Sequence, residues 1–254
     1  MGARIFKRGV PIALLLSLLI LLLPLARAVT WGEKESTCPI CGEKNIFQVP
    51  TSFGTYIYRE ASRFEYLFWP FTDENVLYTC KKCYLTTFMW DFEKIEKPKI
   101  PALKKILSKV KVSKAFDDYR ELPIGERFSV AEKVYDVLGR DNEFWCTFYR
   151  AKGFHLEAHG DKVGAKKARK TALSYAKKML KAKQAKGLAK ETLLIIGAME
   201  HLIGNDALAL KHFKEAQKLK ITDKSMTEEE RKDFDSYLSS LLSEYIEKLE
   251  GKGK

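Results

Sequence analysis

The chain has 254 residues, of which 46% are hydrophobic and 31% charged, and a formal net charge of +12. That balance excludes wholesale disorder, and the length holds one large or two modest domains. Residues 1–9 carry Arg4, Lys7 and Arg8 with no acid, 10–26 are almost wholly apolar, and Ala26-Arg27-Ala28 is a small-x-small box. This layout predicts an exported protein with a signal peptide over 1–28. The apolar run is at the short limit for crossing a bilayer, so an uncleaved N-terminal membrane anchor is the alternative. Loss of the four basic residues in 1–28 lowers the formal charge from +12 to +8. Anionic partners outside the cytoplasm are then lipid headgroups, wall polymers or acidic proteins, and nucleic acid is disfavoured.

Residues 29–96 read as a small β-rich domain. The segments 46–49, 55–58, 76–79 and 85–90 are rich in β-branched and aromatic residues, with Pro50, Gly54 and the run 72–75 between them. Within this domain Cys38-Pro39-Ile40-Cys41-Gly42 and Cys80-Lys81-Lys82-Cys83-Tyr84 form two CxxC knuckles. The two-residue spacer turns both sulfurs of a knuckle toward one point, and Gly42 suits the tight turn because it can take positive φ. Cys38, Cys41, Cys80 and Cys83 together offer four thiolates, the ligand set of one closed structural zinc in a zinc-ribbon-like fold. Disulfides and iron are the competing fates of these thiols. The dense aromatics between Phe53 and Phe92 are expected to fill a thin core and dock on the helices, or to form an exposed platform.

Lys97-Pro98-Lys99-Ile100-Pro101 reads as a stiff linker, because its prolines cannot continue a strand or helix. It sets a boundary, with a linker and connecting helix over 97–122, and predicts that the metal part can be lost without melting the helical part. Everything beyond is helical. Apolar residues recur at helical spacing over 128–138 and stop at Gly139, and Thr227 with Glu230 opens a capped helix whose stripe runs from Phe234 to Leu249. Between them Gly153, Gly160, Ala165 and Ala172 recur as Gly197, Gly204, Ala209 and Ala216, each displaced by 44 residues. Small residues at such offsets let two antiparallel helices cross closely and turn, so each unit reads as a helical hairpin. The pattern resembles tetratricopeptide repeats over 123–220, with 221–254 as a capping helix. The first copy departs from the second where Arg169 stands in place of Phe213, and its second helix is expected to be longer.

The segment 38–92 resembles the signature block of an uncharacterised bacterial family, a domain of unknown function with paired CPxCG-type knuckles followed by tetratricopeptide-like helices. The residues that carry the likeness are CPICG at 38–42, REASRF at 59–64 and NVLYTCKKCY at 75–84. The second knuckle departs from it, with Tyr84 where Gly is usual. The resemblance implies the α+β architecture just described, and it brings no known activity with it.

Other motifs carry less. His155 and His159 flank Glu157, but an HExxH metalloprotease helix needs the acid directly after the first histidine. Two residues on, the side chain points away, so packing or solvated histidines are expected, as for His201 and His212. Cys146 lies among aromatics and reads as a buried inert thiol. Residues 161–190 hold eleven Lys and Arg against one acid, a basic face that is either merely solvated or held against an anionic membrane surface. No nucleophile–base pair, phosphate loop or open metal position is visible. The sequence therefore points to an exported, non-enzymatic binding or scaffold module whose helical groove takes a protein segment. The rival is an exported thiol-redox or electron-transfer protein using the CxxC pairs.

Overall fold

In a computed structural model, residues 29–53 and 64–251 are described. The signal segment, the strand expected at 55–58 and most of the 59–64 motif lie outside them. The N-terminal part is two antiparallel hairpins, β1 (Val29–Thr37) with β2 (Lys44–Phe53), and β3 (Leu77–Thr79) with β4 (Thr86–Phe88). Seven helices come after them in the described residues. The architecture is α+β.

β1 has no counterpart among the strands expected from sequence, because VTWGEKEST lacks a clean apolar alternation. Its pairing with β2 supplies what its composition does not. Pro50 does not end β2 either: the register shifts between Thr30 and Trp31, and Pro50 sits opposite Trp31 at that irregularity. A bulge tolerates a residue without an N–H.

The expected linker is also corrected. Lys97–Lys99 is a 3-10 turn running straight into α1 (Ile100–Leu107), with proline in the first turn of each. A missing N–H costs nothing there, since the first helical N–H groups have no intrahelical acceptor. Leu103 and Leu107 of α1 join a buried cluster with Phe47, Tyr78, Phe92 and Tyr119 and with Val130 and Val134 of α2 (Ile124–Leu138). A second cluster sets Leu67, Val76, Leu77 and Phe88 against Phe128, Tyr135 and Phe148. The aromatics of the β-rich part therefore fill a core shared with the helices.

Beyond α2, which ends at Gly139 with φ 76°, the chain makes two helical hairpins. The first is α3 (Asn142–Ala158) and α4 (Lys162–Ala185); the second is α5 (Ala189–Leu202) and α6 (Asp206–Gln217). The turn glycines Gly160 and Gly204 take φ of 84° and 95°. Ala165, Ala172, Ala209 and Ala216 are fully buried where the helices cross. At Gly197 a Cβ would lie 2.5 Å from the Phe213 ring, so the absence of a side chain here lets α5 and α6 cross closely. As the repeat length implied, α4 has 24 residues against 12 in α6. Then α7 (Glu228–Leu249), started by the Thr227–Glu230 capping box, buries Leu238, Leu242 and Tyr245 against the second hairpin.

Candidate metal centre

Each knuckle is the tip of one β-hairpin. Residues 38–43 join β1 to β2, and residues 80–85 join β3 to β4. The two tips share one hydrogen-bond plan. Cys38 N–H donates to Glu43 O at 2.8 Å and Gly42 N–H to Cys38 O at 2.9 Å; Cys80 N–H donates to Leu85 O at 2.9 Å and Tyr84 N–H to Cys80 O at 3.0 Å. The fifth residue of each tip has positive φ, 73° at Gly42 and 62° at Tyr84. Tyr84 thus adopts the glycine conformation despite its side chain, whose ring lies 6.1 Å from that of Phe116.

The four sulfurs converge, all within 4.8 Å of one another. Cys38 Sγ is 3.5 Å from Cys83 Sγ, and Cys41 Sγ is 3.6 Å from Cys80 Sγ. A disulfide needs about 2.05 Å, and all four thiols are free. Four thiolates at about 2.3 Å from a tetrahedral ion stand roughly 3.8 Å apart, so the donor set fits a metal. These cysteines are positioned to bind one metal ion.

The hydrogen bond with Cys80 pushes the Cys38 thiol up to about 12, while that bond holds Cys80 well below the usual thiol range. Hydrogen bonding to Cys38 and burial also raise Cys83. Four sulfurs this close cannot all ionise without a cation among them. Backbone N–H groups of Ile40 and Cys41 face Cys38, and those of Lys82 and Cys83 face Cys80, which is what a thiolate ligand needs. Cys38 and Cys80 are buried, whereas Cys41 and Cys83 are partly exposed.

One residue of this site has no sequence signal. Asn45 accepts from Lys81 N–H at 2.9 Å, and its amide donates to Glu43 O at 3.0 Å and lies 3.7 Å from Cys80 Sγ. It ties the first tip to the second and fixes their relative position. Nothing in its local sequence marks it, because the role depends on a contact 36 residues away.

The remaining candidates fall elsewhere. His155 is buried with Nε2 2.9 Å from Phe71 O, and His159 Nε2 lies beside Glu74. Burial pushes His155 down to about 4, which keeps the ring neutral near pH 7. Glu157 turns to Arg169, so the three make no ligand set. His201 pairs with Asp206 at 2.7 Å, and His212 Nδ1 lies 3.7 Å from Glu215. Cys146 is buried, and that burial pushes its thiol up. On α4 Lys166, Lys170, Lys178 and Lys181 are exposed; Lys177 differs, binding buried Glu200 at 2.8 Å. No helix among the described residues is long and apolar enough to cross a membrane.

Residues 31–237 match the family model described as "Uncharacterized protein conserved in bacteria (DUF2225)". No curated protein and no solved structure gives a significant match.

Proposed function

We propose that this chain, which belongs to the uncharacterised bacterial family DUF2225, is an exported, non-enzymatic binding or scaffold module held in shape by one structural zinc. The observation that carries the reading is the closure of the site. Four sulfurs use up a tetrahedral ion's positions, leaving none for water or substrate, so the metal supplies folding energy and no hydrolysis. The thiolate set suits zinc, a borderline-soft ion without geometric demands of its own. The partner is a protein segment taken by the helices. A cleft of about 650 Å³ between α2, α3 and α4 supports this, with Ile124, Tyr149 and Leu156 beside Lys152 and Lys167 in its lining.

The rival, a thiol-redox protein, needs each CxxC pair to close on itself. Here Cys38 Sγ and Cys41 Sγ lie 3.5 and 3.6 Å from Cys83 Sγ and Cys80 Sγ of the other knuckle, so the sulfurs form one cross-linked set. Protein purified from its native compartment should carry one zinc per chain by mass spectrometry. Cys38, Cys41, Cys80 and Cys83 should become alkylatable only after chelation. Intact disulfides and no metal would replace this reading with the redox one.

The exposed lysines of α4 support a second contact, with an anionic membrane surface. Each is worth about 1 kcal/mol near such a surface. Replacing Lys166, Lys170 and Lys181 with Gln should abolish salt-sensitive cosedimentation with phosphatidylglycerol vesicles and leave the melting temperature unchanged. A wild-type protein that ignores those vesicles at low salt would reduce the lysines to a solvated face.

A further inference from the structure

Arg169 is where the first hairpin departs from the second, and the structure gives the reason. A Cβ at Gly153 would lie 2.9 Å from Arg169 Cγ, just as one at Gly197 would lie 2.5 Å from the Phe213 ring. The position over the small residue is kept, but an apolar ring has become a cation. Its side chain is only 4% exposed, and a charge so placed requires a partner.

Its partners are Glu157 of α3 and Glu65, whose side chain is 2% exposed. Arg169 donates to both of its carboxylate oxygens, Nε to Oε1 at 3.2 Å and Nη2 to Oε2 at 2.8 Å. On α3 Arg150, also buried, donates from Nε and Nη2 to the Glu65 carbonyl oxygen at 3.2 and 3.0 Å. The flanking residues are gripped as well. Phe64 stacks on Tyr245 of α7 with centroids 4.5 Å apart and lies 4.1 Å from the His201 ring of α5. Tyr66, at φ 48°, lies under the Arg150 guanidinium and donates its hydroxyl to Glu191 of α5 at 3.2 Å.

Three consecutive residues in a turn thus engage α3, α4, α5 and α7. A main-chain carbonyl, a carboxylate and two rings, met between them by four helices, are the contacts by which a helical-repeat surface reads a short peptide. The charged part of this grip is selective without being strong. Burying Glu65 costs desolvation, which raises its carboxyl despite the two arginines, and a buried ion pair returns little net stability. A segment of the same chemistry can therefore compete for the surface.

We propose that the surface formed by α3, α4, α5 and α7 is a binding site for peptides that carry a carboxylate between two aromatic residues, and that residues 64–66 occupy it as the chain's own stand-in. This rests on the reading of the helices as a module for a protein segment, and it names the class of segment.

The test uses the full chain and a fluorescent, acetylated peptide with the sequence of residues 63–68, RFEYLF. A Phe64→Ala, Glu65→Gln, Tyr66→Ala variant should bind this peptide at least about tenfold more tightly than wild type, whose site is competent only in the fraction of chains with the stand-in displaced. Changing the peptide's glutamate to glutamine should weaken binding by about tenfold through loss of the charge-assisted pair. Adding Arg169→Gln to the variant should erase that preference. Circular dichroism and a cooperative melt report whether each variant is folded. If the triple variant unfolds, Glu65→Gln, which keeps both rings, replaces it with the same expected direction. Unfolding of both would overturn the proposal, because the three residues are then core. A folded variant that shows no saturable binding, or that binds both peptides equally, would also overturn it. So would a wild type that binds as tightly as the variant. None of these outcomes bears on metal content or on the α2–α4 cleft, so the module reading would stand.

Discussion

Chelation of the metal, or Cys80→Ser, should melt the β-hairpins and the first helices together in one transition. Cys80 is fully buried, and its loss leaves three ligands for an ion that needs four. Structural zinc contributes apparent folding energy on the order of 10 kcal/mol in small metal domains, so a loss of at least about 5 kcal/mol is expected here. The loss should spread because the tips do not rest on a core of their own. Phe47 stacks on Tyr78 at 4.1 Å and meets Phe92 and Tyr119 at 4.7 and 5.2 Å. The same cluster includes Leu103, Leu107, Leu122, Val130 and Val134 from the helical side. Acid should act like a chelator, since protons compete with the metal for the thiolates. Far-UV circular dichroism melts with and without chelator will show one transition moving to lower temperature. Two transitions, with the helical one unmoved, would mean that the segment 97–101 does separate independent units.

Arg127→Leu should be the most damaging change away from the cysteines. The Arg127 side chain is 1% exposed, and it donates to three main-chain carbonyls: Leu122 O at 3.1 Å, Glu74 O at 2.9 Å and Leu77 O at 3.2 Å. Two of these belong to the segment that leads into the second knuckle, so one guanidinium pins that segment to α2. Leucine fills part of the volume but leaves buried acceptors without donors, at a cost of about 3 kcal/mol or more. The loss should appear as a lower urea midpoint with an unchanged slope. Arg120→Leu is the control. Arg120 pairs with Asp118 in water, where such a pair is worth about 0.5 kcal/mol. Equal effects of the two substitutions would show that the buried carbonyl bonds add nothing.

Much of the molecule is legible in its sequence because it is written within a few residues. A CxxC spacer turns its own sulfurs, and both knuckles formed where the spacing put them. Thr227 and Glu230 cap their own helix. Gly and Ala recurring 44 residues apart mark two hairpins, since the small residue and the helix that crosses it lie in the same unit. The prolines at 98 and 101 were local signals too, but ambiguous ones: proline ends a helix from within and begins one from its first turn. β1, Asn45, Arg127 and Arg169 were of another kind. β1 is a strand because β2 pairs with it, and Asn45 joins two tips through a residue 36 positions away. Arg127 carries no local mark, Arg169 stands out only against Phe213 of the second copy, and Arg169 meets Glu65 across 104 residues. Composition and periodicity determine which face of an element leaves water. Which partner a buried charge finds is decided only when distant segments are brought together, because desolvation makes that partner obligatory while no local rule names it.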